Sequence, residues 1–192
     1  MRIVTGLLKG RVIPSHRSLA EIRLTSSRLK EALFSSLGAD LSGRTFLDLC
    51  AGSGQIGLEA YSRGAEVVLN EPDPGRCRQI RRLLRRWGIS GVELFEVRGE
   101  LLIPRLGMQN RRFDLVYLDP PYHAGLDGGP LALALVERLS DGAILEETAL
   151  VLVQHSSGLE LPENAGCLAV LRRRIYGGTG LTIYGRCVEK GD

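Results

Sequence analysis

The sequence predicts an α/β doubly wound fold, in which a mostly parallel sheet is covered by helices and ends in an antiparallel C-terminal hairpin. Three observations predict it. Short apolar strand patterns alternate with helical patterns between residues 45 and 154, as parallel strands joined by helices do. A glycine-rich turn follows the first of these strands. The last two apolar segments have no helix between them, so we expect them to pair antiparallel.

The individual elements follow from the period of the apolar residues and from the residues that begin and end each segment. The predicted strands cover residues 45–50, 66–70, 92–97, 113–118 and 149–154, and the C-terminal pair covers 167–174 and 181–188. The predicted helices cover residues 25–37, 54–63, 74–87, 100–108 and 128–140. The N-terminal part is expected to hold a short hairpin over 2–13 and a polar loop over 14–24.

Length and composition predict one domain with a small extension. The 192 residues suit a single core, so we divide the chain into a basic N-terminal hairpin and helix extension, residues 1–40, and a main domain, residues 41–192. We find no apolar run long enough to span a membrane and no secretory signal pattern, and therefore expect a cytoplasmic protein. The four cysteines form no C-x-x-C pair and there are only three histidines, so we expect no metal site.

The charge is concentrated at the N-terminus. Residues 1–30 carry seven basic residues against Glu21 alone, a net charge of +6, while the whole chain has a net charge of +3. A basic arm on a near-neutral body predicts a polyanionic partner, and nucleic acid is the polyanion we expect. The basic residues of this arm are Arg2, Lys9, Arg11, Arg17, Arg23, Arg28 and Lys30.

The segment FLDLCAGSGQIGLEA predicts a ligand-binding loop between a strand and a helix. Gly52 and Gly54 allow a sharp turn and a close approach of the backbone to a ligand. Asp48 ends the strand just before the turn, and Glu71 ends the next strand, where a carboxylate can hold both hydroxyls of a ribose. The spelling also fits a dinucleotide loop, so alone it does not decide the cofactor. Asp48, which could hold the amino-acid end of S-adenosylmethionine, and a second motif downstream favour that cofactor.

That second motif is Asp-Pro-Pro-Tyr at residues 119–122, directly after the strand predicted over 113–118. An exocyclic base amine is a poor nucleophile because its lone pair is delocalised into the ring, and acceptors on its two N–H bonds help the nitrogen to pyramidalise. Asp119 and the Pro120 carbonyl can supply those acceptors, while Pro121 fixes the backbone. Tyr122 offers a ring on which a base can stack. The motif therefore predicts methylation of a nucleic-acid amine.

Other residues have more than one interpretation. Glu100 follows the third strand and could contact the adenine of the cofactor, or could simply begin a solvated helix. The helix RCRQIRRLLRR holds six arginines; it is either a phosphate-binding face or a solvated amphipathic helix, and the pattern alone favours the second. The candidate substrate-binding residues are Arg11, Arg17, Arg23, Thr25 and His123.

Four stretches of the chain resemble the D-type family of bacterial 16S ribosomal RNA guanine-N2 methyltransferases, which modify the small ribosomal subunit. They are RLTSSRLKEALF at 23–34, LDLCAGSGQIGLEAYSRGA at 47–65, LDPPY at 118–122 and RIYGGTGLTIY at 174–184. The resemblance implies a Rossmann-like class I methyltransferase fold, S-adenosylmethionine as donor, and 16S ribosomal RNA or the small ribosomal subunit as partner of a protein that we expect to be a monomer. It assigns Asp48, Gly52, Gly54 and Glu71 to the cofactor and residues 119–122 to the target base.

Three other functions remain open at this point. An adenine-N6 methyltransferase acting on DNA or RNA would use the same amine chemistry, so the motif does not separate the two. A nicotinamide-dependent oxidoreductase could use the loop GSGQIG but leaves residues 119–122 unexplained. A catalytically silent RNA-binding assembly factor would keep the basic arm without needing the intact motif.

Overall fold

The computed structural model describes residues 2–14 and 27–187, and the chain divides into two compact units, residues 1–96 and 97–192. The helices are α1 Ser27–Leu37, α2 Gln55–Ser62, α3 Pro74–Trp87, α4 Gly99–Met108 and α5 Leu131–Leu139. The strands are β1 Thr45–Asp48, β2 Glu66–Asn70, β3 Val92–Phe95, β4 Phe113–Leu118, β5 Gly125–Leu126, β6 Gly129–Pro130, β7 Leu145–Ser156, β8 Asn164–Ala165, β9 Leu168–Tyr176 and β10 Thr179–Arg186. No helix in these ranges combines the length and apolar character that crossing a membrane requires.

The first unit contains three parallel strands in the order β3-β2-β1. Strands β1 and β2 are almost wholly buried, as parallel strands covered on both faces are. Helix α3 begins where the Asp73 side chain accepts a hydrogen bond from the Arg76 N–H at 2.7 Å, and Pro74 suits the first turn. It ends at Gly88, whose φ of 68° is left-handed.

The N-terminal segment, residues 2–14, is fastened to helix α2. Arg2 and Val12 form a single antiparallel bridge, so the expected hairpin is present in its shortest form. The Val4 N–H donates to Glu59 Oε2 at 2.9 Å, and the Leu7 N–H donates to the Ser62 carbonyl at 2.8 Å. These backbone contacts tie the segment to the face of α2 that bears Glu59.

Glu59 is the centre of a buried ion-pair cluster. Its side chain has no exposed surface and lies 3.0 Å from Lys30 Nζ and 3.1 Å from an Arg63 nitrogen. Burial by itself would raise the pKa of Glu59, but hydrogen bonds from the Val4 N–H, Lys30 and Arg63 outweigh it and lower that pKa. The cluster joins α1, α2 and the N-terminal segment. Lys30 is therefore part of the interior and does not belong to the exposed basic arm, where the charge count had placed it.

The second unit carries the strands β4-β7-β10-β9-β8 in that order. Strand β4 runs parallel to β7, and β7, β10, β9 and β8 pair antiparallel, which gives the C-terminal hairpin that the sequence predicts. The Tyr117 hydroxyl donates to Gln154 Oε1 at 2.7 Å and so satisfies two buried polar groups between β4 and β7. In the β7–β10 register, His155 lies opposite Gly180.

The predicted helices and strands are present within residues 2–14 and 27–187, with differences at their ends, and the structure adds the short strands β5, β6 and β8, which were not predicted. The strand predicted over 45–50 ends at Asp48 because the next residues already form the turn. The strand predicted over 149–154 is longer, Leu145–Ser156, because it pairs on both edges. The helix predicted from residue 128 begins at Leu131, since residues 125–130 form the small β5–β6 hairpin.

Candidate functional site: a glycine loop and an Asp-Pro-Pro-Tyr turn

The glycine loop connects the carboxyl end of β1 to α2. Gly52 and Gly54 have φ angles of 57° and 78°, a left-handed conformation that glycine adopts without strain. The position of a Cβ on Gly52 has no atom within 4 Å, so the loop has open space beside it. Gly54 precedes α2 and, as a glycine, supplies no side-chain cap, so the positive N-terminal end of the helix lies in this loop.

Glu71 braces this loop from the end of β2. It is 2% exposed, and its Oε2 accepts a hydrogen bond from the Gly52 N–H at 2.8 Å. Its Oε1 accepts from the Asp73 N–H at 3.0 Å and lies 3.4 Å from Arg76 Nη1. Burial raises the pKa of Glu71, although these donors oppose the rise. A buried carboxylate with a raised pKa gains from further hydrogen-bond donors, such as the hydroxyls of a ribose.

Asp48 holds the start of α2. It is 1% exposed, and its Oδ2 accepts a hydrogen bond from the Gly57 N–H at 3.0 Å. Glycine at position 57 lets α2 pack closely on β2, because a Cβ there would lie 2.2 Å from Leu69 Cδ2. Ser53 Oγ and Gln55 Oε1 are buried and have no hydrogen-bond partner within residues 2–14 and 27–187. Such polar atoms fit a ligand that brings its own donors and acceptors.

The Asp-Pro-Pro-Tyr turn follows the carboxyl end of β4. Asp119 is half-buried, Pro120 is buried and Pro121 is exposed. The Ala124 N–H closes the turn by donating to the Pro121 carbonyl at 2.9 Å. The Tyr122 hydroxyl donates to Thr179 Oγ1 at 3.3 Å, so the aromatic ring is held by the start of β10. The turn thus presents a carboxylate, a rigid backbone and an anchored ring.

A cavity of about 70 Å³ lies beside this turn. Pro120, Pro121 and Tyr122 line one part of it, and His155 and Ser156 line another. His155 is 7% exposed; its Nε2 lies 2.9 Å from Thr182 Oγ1 and its Nδ1 lies 2.8 Å from the Ser156 carbonyl. Burial lowers the pKa of His155 and so favours the neutral form of the ring. Sequence reasoning missed this histidine, because the parallel pairing of β4 with β7, in which Leu118 lies opposite Val153, brings it near the turn.

The remaining predicted residues have varied positions. Glu100 is buried in the first turn of α4, with Oε1 2.6 Å from Arg98 Nε. His123 is exposed after the turn. Arg11 lies at the end of α3, where its Nη1 donates to the Trp87 carbonyl at 3.2 Å and its guanidinium lies 5.4 Å from the centre of the Trp87 ring. Three predicted residues lie outside the part of the chain that the structure describes: Arg17, Arg23 and Thr25.

Comparison with known proteins shows the family to which the chain belongs. The family model described as "Conserved hypothetical protein 95" matches residues 1–185. The chain belongs to this family.

Two relatives and one solved structure extend that result. A Bacillus subtilis protein named "Putative rRNA methyltransferase YlbH" is 30% identical over 96% of this chain and 98% of its own length. A Haemophilus influenzae protein named "Ribosomal RNA small subunit methyltransferase D" is 33% identical over 85% of this chain and 84% of its own length. The structure named "Putative methyltransferase yhhF from Escherichia coli" superposes with a TM-score of 0.82 at 26% identity, covering 98% of this chain and 99% of that chain.

These comparisons confirm two predictions from the sequence: the family resemblance and the fold class. The stretches quoted for the resemblance lie inside the matched range, and relatives named small subunit methyltransferase D are among those found. The α/β fold of class I methyltransferases is confirmed by the structural likeness over nearly the whole chain. Within the described ranges, His, Cys, Asp and Glu form no group of three or more that could hold a metal ion.

Proposed function

We propose that the protein is an S-adenosylmethionine-dependent methyltransferase that methylates the exocyclic N2 amine of a guanine in 16S ribosomal RNA. One observation carries the proposal: a glycine loop braced by a buried carboxylate and an Asp-Pro-Pro-Tyr turn each follow the carboxyl end of a parallel strand. Ligands of doubly wound folds bind at those ends. The names of the family relatives support ribosomal RNA as the substrate, and the resemblance of the sequence motifs supports guanine N2.

The residues of the glycine loop fit the cofactor. A carboxylate has about four acceptor sites. The Glu71 carboxylate uses three of them for the Gly52 N–H, the Asp73 N–H and, at 3.4 Å, Arg76 Nη1, which leaves a lone pair for a ribose hydroxyl. The positive end of α2 suits the carboxylate of the methionine moiety, and Asp48 suits its ammonium group. Ser53 Oγ and Gln55 Oε1 supply further polar contacts. When bound, the cofactor supplies a methyl group activated by its positively charged sulfur.

The Asp-Pro-Pro-Tyr turn prepares the amine. The Asp119 carboxylate and the Pro120 carbonyl accept hydrogen bonds from its two N–H groups, which draws the nitrogen lone pair out of the ring. Tyr122, held through Thr179, stacks on the base. With the cofactor bound at the glycine loop, the amine held in this way would be the nucleophile for its methyl group, and Asp119 or water would take the proton that the nitrogen gives up. Asp119 does not need to be a strong base, because proton loss follows methyl transfer.

The proposal also covers the domains of the chain, its location in the cell and its contact with RNA. We infer that residues 1–40 form the basic extension and residues 41–192 the methyltransferase domain, and that Glu100 contacts the adenine of the cofactor. We expect a cytoplasmic monomer that acts on 16S ribosomal RNA or on the small ribosomal subunit. Arg11 is the predicted RNA contact of the extension that the structure describes, and its position at the end of α3 supports that role.

Replacement of Asp119 tests the chemical half of the proposal. We expect Asp119→Ala to lower kcat by about 100-fold to 1000-fold, because one preorganised contact to the transition state is lost. Affinity for S-adenosylmethionine, measured by calorimetry, should change by less than a factor of about 5, or roughly 1 kcal/mol. Asp127→Asn is the matched control, since Asp127 is an exposed carboxylate close after the turn. Wild-type turnover by Asp119→Ala would remove Asp119 from the mechanism.

A further inference from the structure

Helix α3 carries an arginine surface that the proposed site does not use. Four of its arginines are exposed, and their side chains have no ion-pair or hydrogen-bond partner within residues 2–14 and 27–187. Together they are called the arginine face: Arg78, Arg82, Arg85 and Arg86. The other two arginines of the helix are engaged. Arg76 lies 3.4 Å from Glu71, and Arg81 lies 2.8 Å from Glu96. Two arginine side chains of the helix are therefore held in ion pairs, and the four of the arginine face are not.

The arginine face is not explained by the stability of the helix. The sequence of α3, PGRCRQIRRLLRRW, contains no acidic residue that could pair with it. Arg78, Arg82 and Arg86 follow one another at intervals of four residues, and like charges at that spacing destabilise a helix by about 0.2–0.5 kcal/mol per pair. The helix dipole favours Arg85 and Arg86 in the last turn but does not favour Arg78 or Arg82. A polyanionic partner would offset this repulsion.

A pocket of about 90 Å³ connects the arginine face to the glycine loop. Its apolar wall is formed by Ile13, Pro14, Ile80 and Leu83, and its polar wall by Ser53, Gln79, Arg82 and Arg86. Apolar surface next to guanidinium groups suits a nucleotide, whose base or sugar packs on the apolar wall while its phosphate binds arginine. Ser53 belongs to the loop proposed to hold the cofactor, so a strand seated here would pass close to that loop.

The spacing of the arginines fits an extended polyanion. A helix rises 1.5 Å per residue, so Arg78, Arg82 and Arg86 are separated by roughly 6 Å along its axis, a separation comparable with that of successive phosphates along a strand. Arg11 lies against Trp87 and adds another positive group at the end of the helix. Arg11 therefore extends the positively charged surface from the end of the helix to the N-terminal segment.

We infer that the arginine face, the pocket of Arg82 and Arg86, and Arg11 form the surface that binds the phosphate backbone of a single-stranded segment of the substrate RNA. The inference rests on the proposed function and adds the place where the RNA docks. A membrane of anionic lipids is a less favourable partner, because a vesicle surface would not occupy the pocket beside Ser53.

The salt dependence of RNA binding tests the inference. The test compares the wild type with the double variant Arg82→Gln/Arg86→Gln, and the control is Arg172→Gln/Arg174→Gln, which removes two exposed arginines from β9. The probe is 16S ribosomal RNA, with affinity measured between roughly 50 and 200 mM salt. Each lost phosphate contact lowers the slope of log K against log salt by about 0.7–0.9, so we expect a decrease of about 1.5 in the test variant and none in the control.

Kinetics and cofactor binding separate the possible outcomes. We expect the test variant to raise KM for RNA by about 10-fold with kcat and affinity for S-adenosylmethionine unchanged. The inference would be overturned, with the proposed function intact, if the test variant kept the wild-type salt slope or if the slope decreased equally in the control variant. The same holds if the test variant lost binding to vesicles of anionic lipid but kept its binding to RNA. A wild-type protein that binds S-adenosylmethionine but neither binds nor methylates RNA would reject the proposed function, and the inference with it.

Discussion

Replacing Glu71 by glutamine changes one charge at the point where the proposed cofactor site is braced. Both carboxylate oxygens accept backbone N–H bonds, from Gly52 at 2.8 Å and from Asp73 at 3.0 Å. The hydroxyls of a ribose would add charge-assisted hydrogen bonds, each worth about 1.5–3 kcal/mol. The loss of one such bond corresponds to an affinity for S-adenosylmethionine that is about 10-fold to 150-fold weaker.

Titration calorimetry measures this change, and thermal unfolding shows that the variant remains folded. Glu66→Gln is the matched control, because Glu66 lies at the exposed start of the same strand and should leave affinity unchanged. Acid should act in the same direction as the substitution. Burial raises the pKa of Glu71, so falling pH protonates this carboxyl before an exposed glutamate and weakens cofactor binding, whereas the Gln variant should not respond. A folded Glu71→Gln protein with affinity within about twofold of the wild type would refute the assignment.

Two further predictions concern the stability of the first unit. Glu59→Gln should lower the free energy of unfolding by about 3–5 kcal/mol at pH 7, because Lys30 would remain buried without its ionised partner. The folded state lowers the pKa of Glu59, so this stabilisation is present above the pKa of the unfolded state and is lost as pH falls through the pKa of the folded state. The denaturant curves of the variant and the wild type should therefore converge in acid. A difference in unfolding free energy that stays constant with pH would contradict the ion-pair explanation. Gly57→Ala should destabilise by about 1–3 kcal/mol, because its Cβ would lie 2.2 Å from Leu69 Cδ2 in the core. Gly107→Ala is the control, because a Cβ at this helical position would make only an ordinary contact at 3.6 Å, so the substitution should be neutral or stabilising by up to about 1 kcal/mol. Equal effects of the two substitutions in chemical denaturation would contradict close packing at Gly57.

The parts of the site that depend on local sequence could be predicted. Gly52 and Gly54 were identifiable because a sharp strand-to-helix turn needs positive φ, and both glycines have it. Glu71 was identifiable because an acidic residue about twenty positions after the loop ends the next strand. The hydrogen bond from the Gly52 N–H to Glu71 was not predictable, since it depends on how the two loops pack.

The parts that depend on distant contacts could not be predicted. Counting charges placed Lys30 in the basic arm, but its partner Glu59 lies 29 residues away and draws it into the core. A glutamate among the apolar residues of QIGLEAYS was the one available signal of that cluster. His155 reaches the Asp-Pro-Pro-Tyr turn through its strand, and no periodic pattern in the sequence indicates the full length of that strand.

The arginine-rich helix shows why a pattern alone can mislead. From the sequence, a solvated amphipathic helix was the favoured interpretation, and α3 does bury an apolar face that includes Cys77 and Ile80. The structure adds the pocket at Arg82 and Arg86 and the stacking of Arg11 on Trp87. Those contacts join segments that are far apart in sequence, and they are the observations that favour a phosphate-binding surface.

The most direct test of the central claim is to identify the methylated nucleoside. The protein would be incubated with labelled S-adenosylmethionine in three separate reactions, which contain undermethylated small ribosomal subunits, naked 16S ribosomal RNA or duplex DNA. Each nucleic acid is then digested to nucleosides for mass spectrometry. We predict N2-methylguanosine from the RNA substrates, dependent on Asp119, and no product from DNA. N6-methyladenine as the product, or no product from any substrate by a protein that binds the cofactor, would contradict the account.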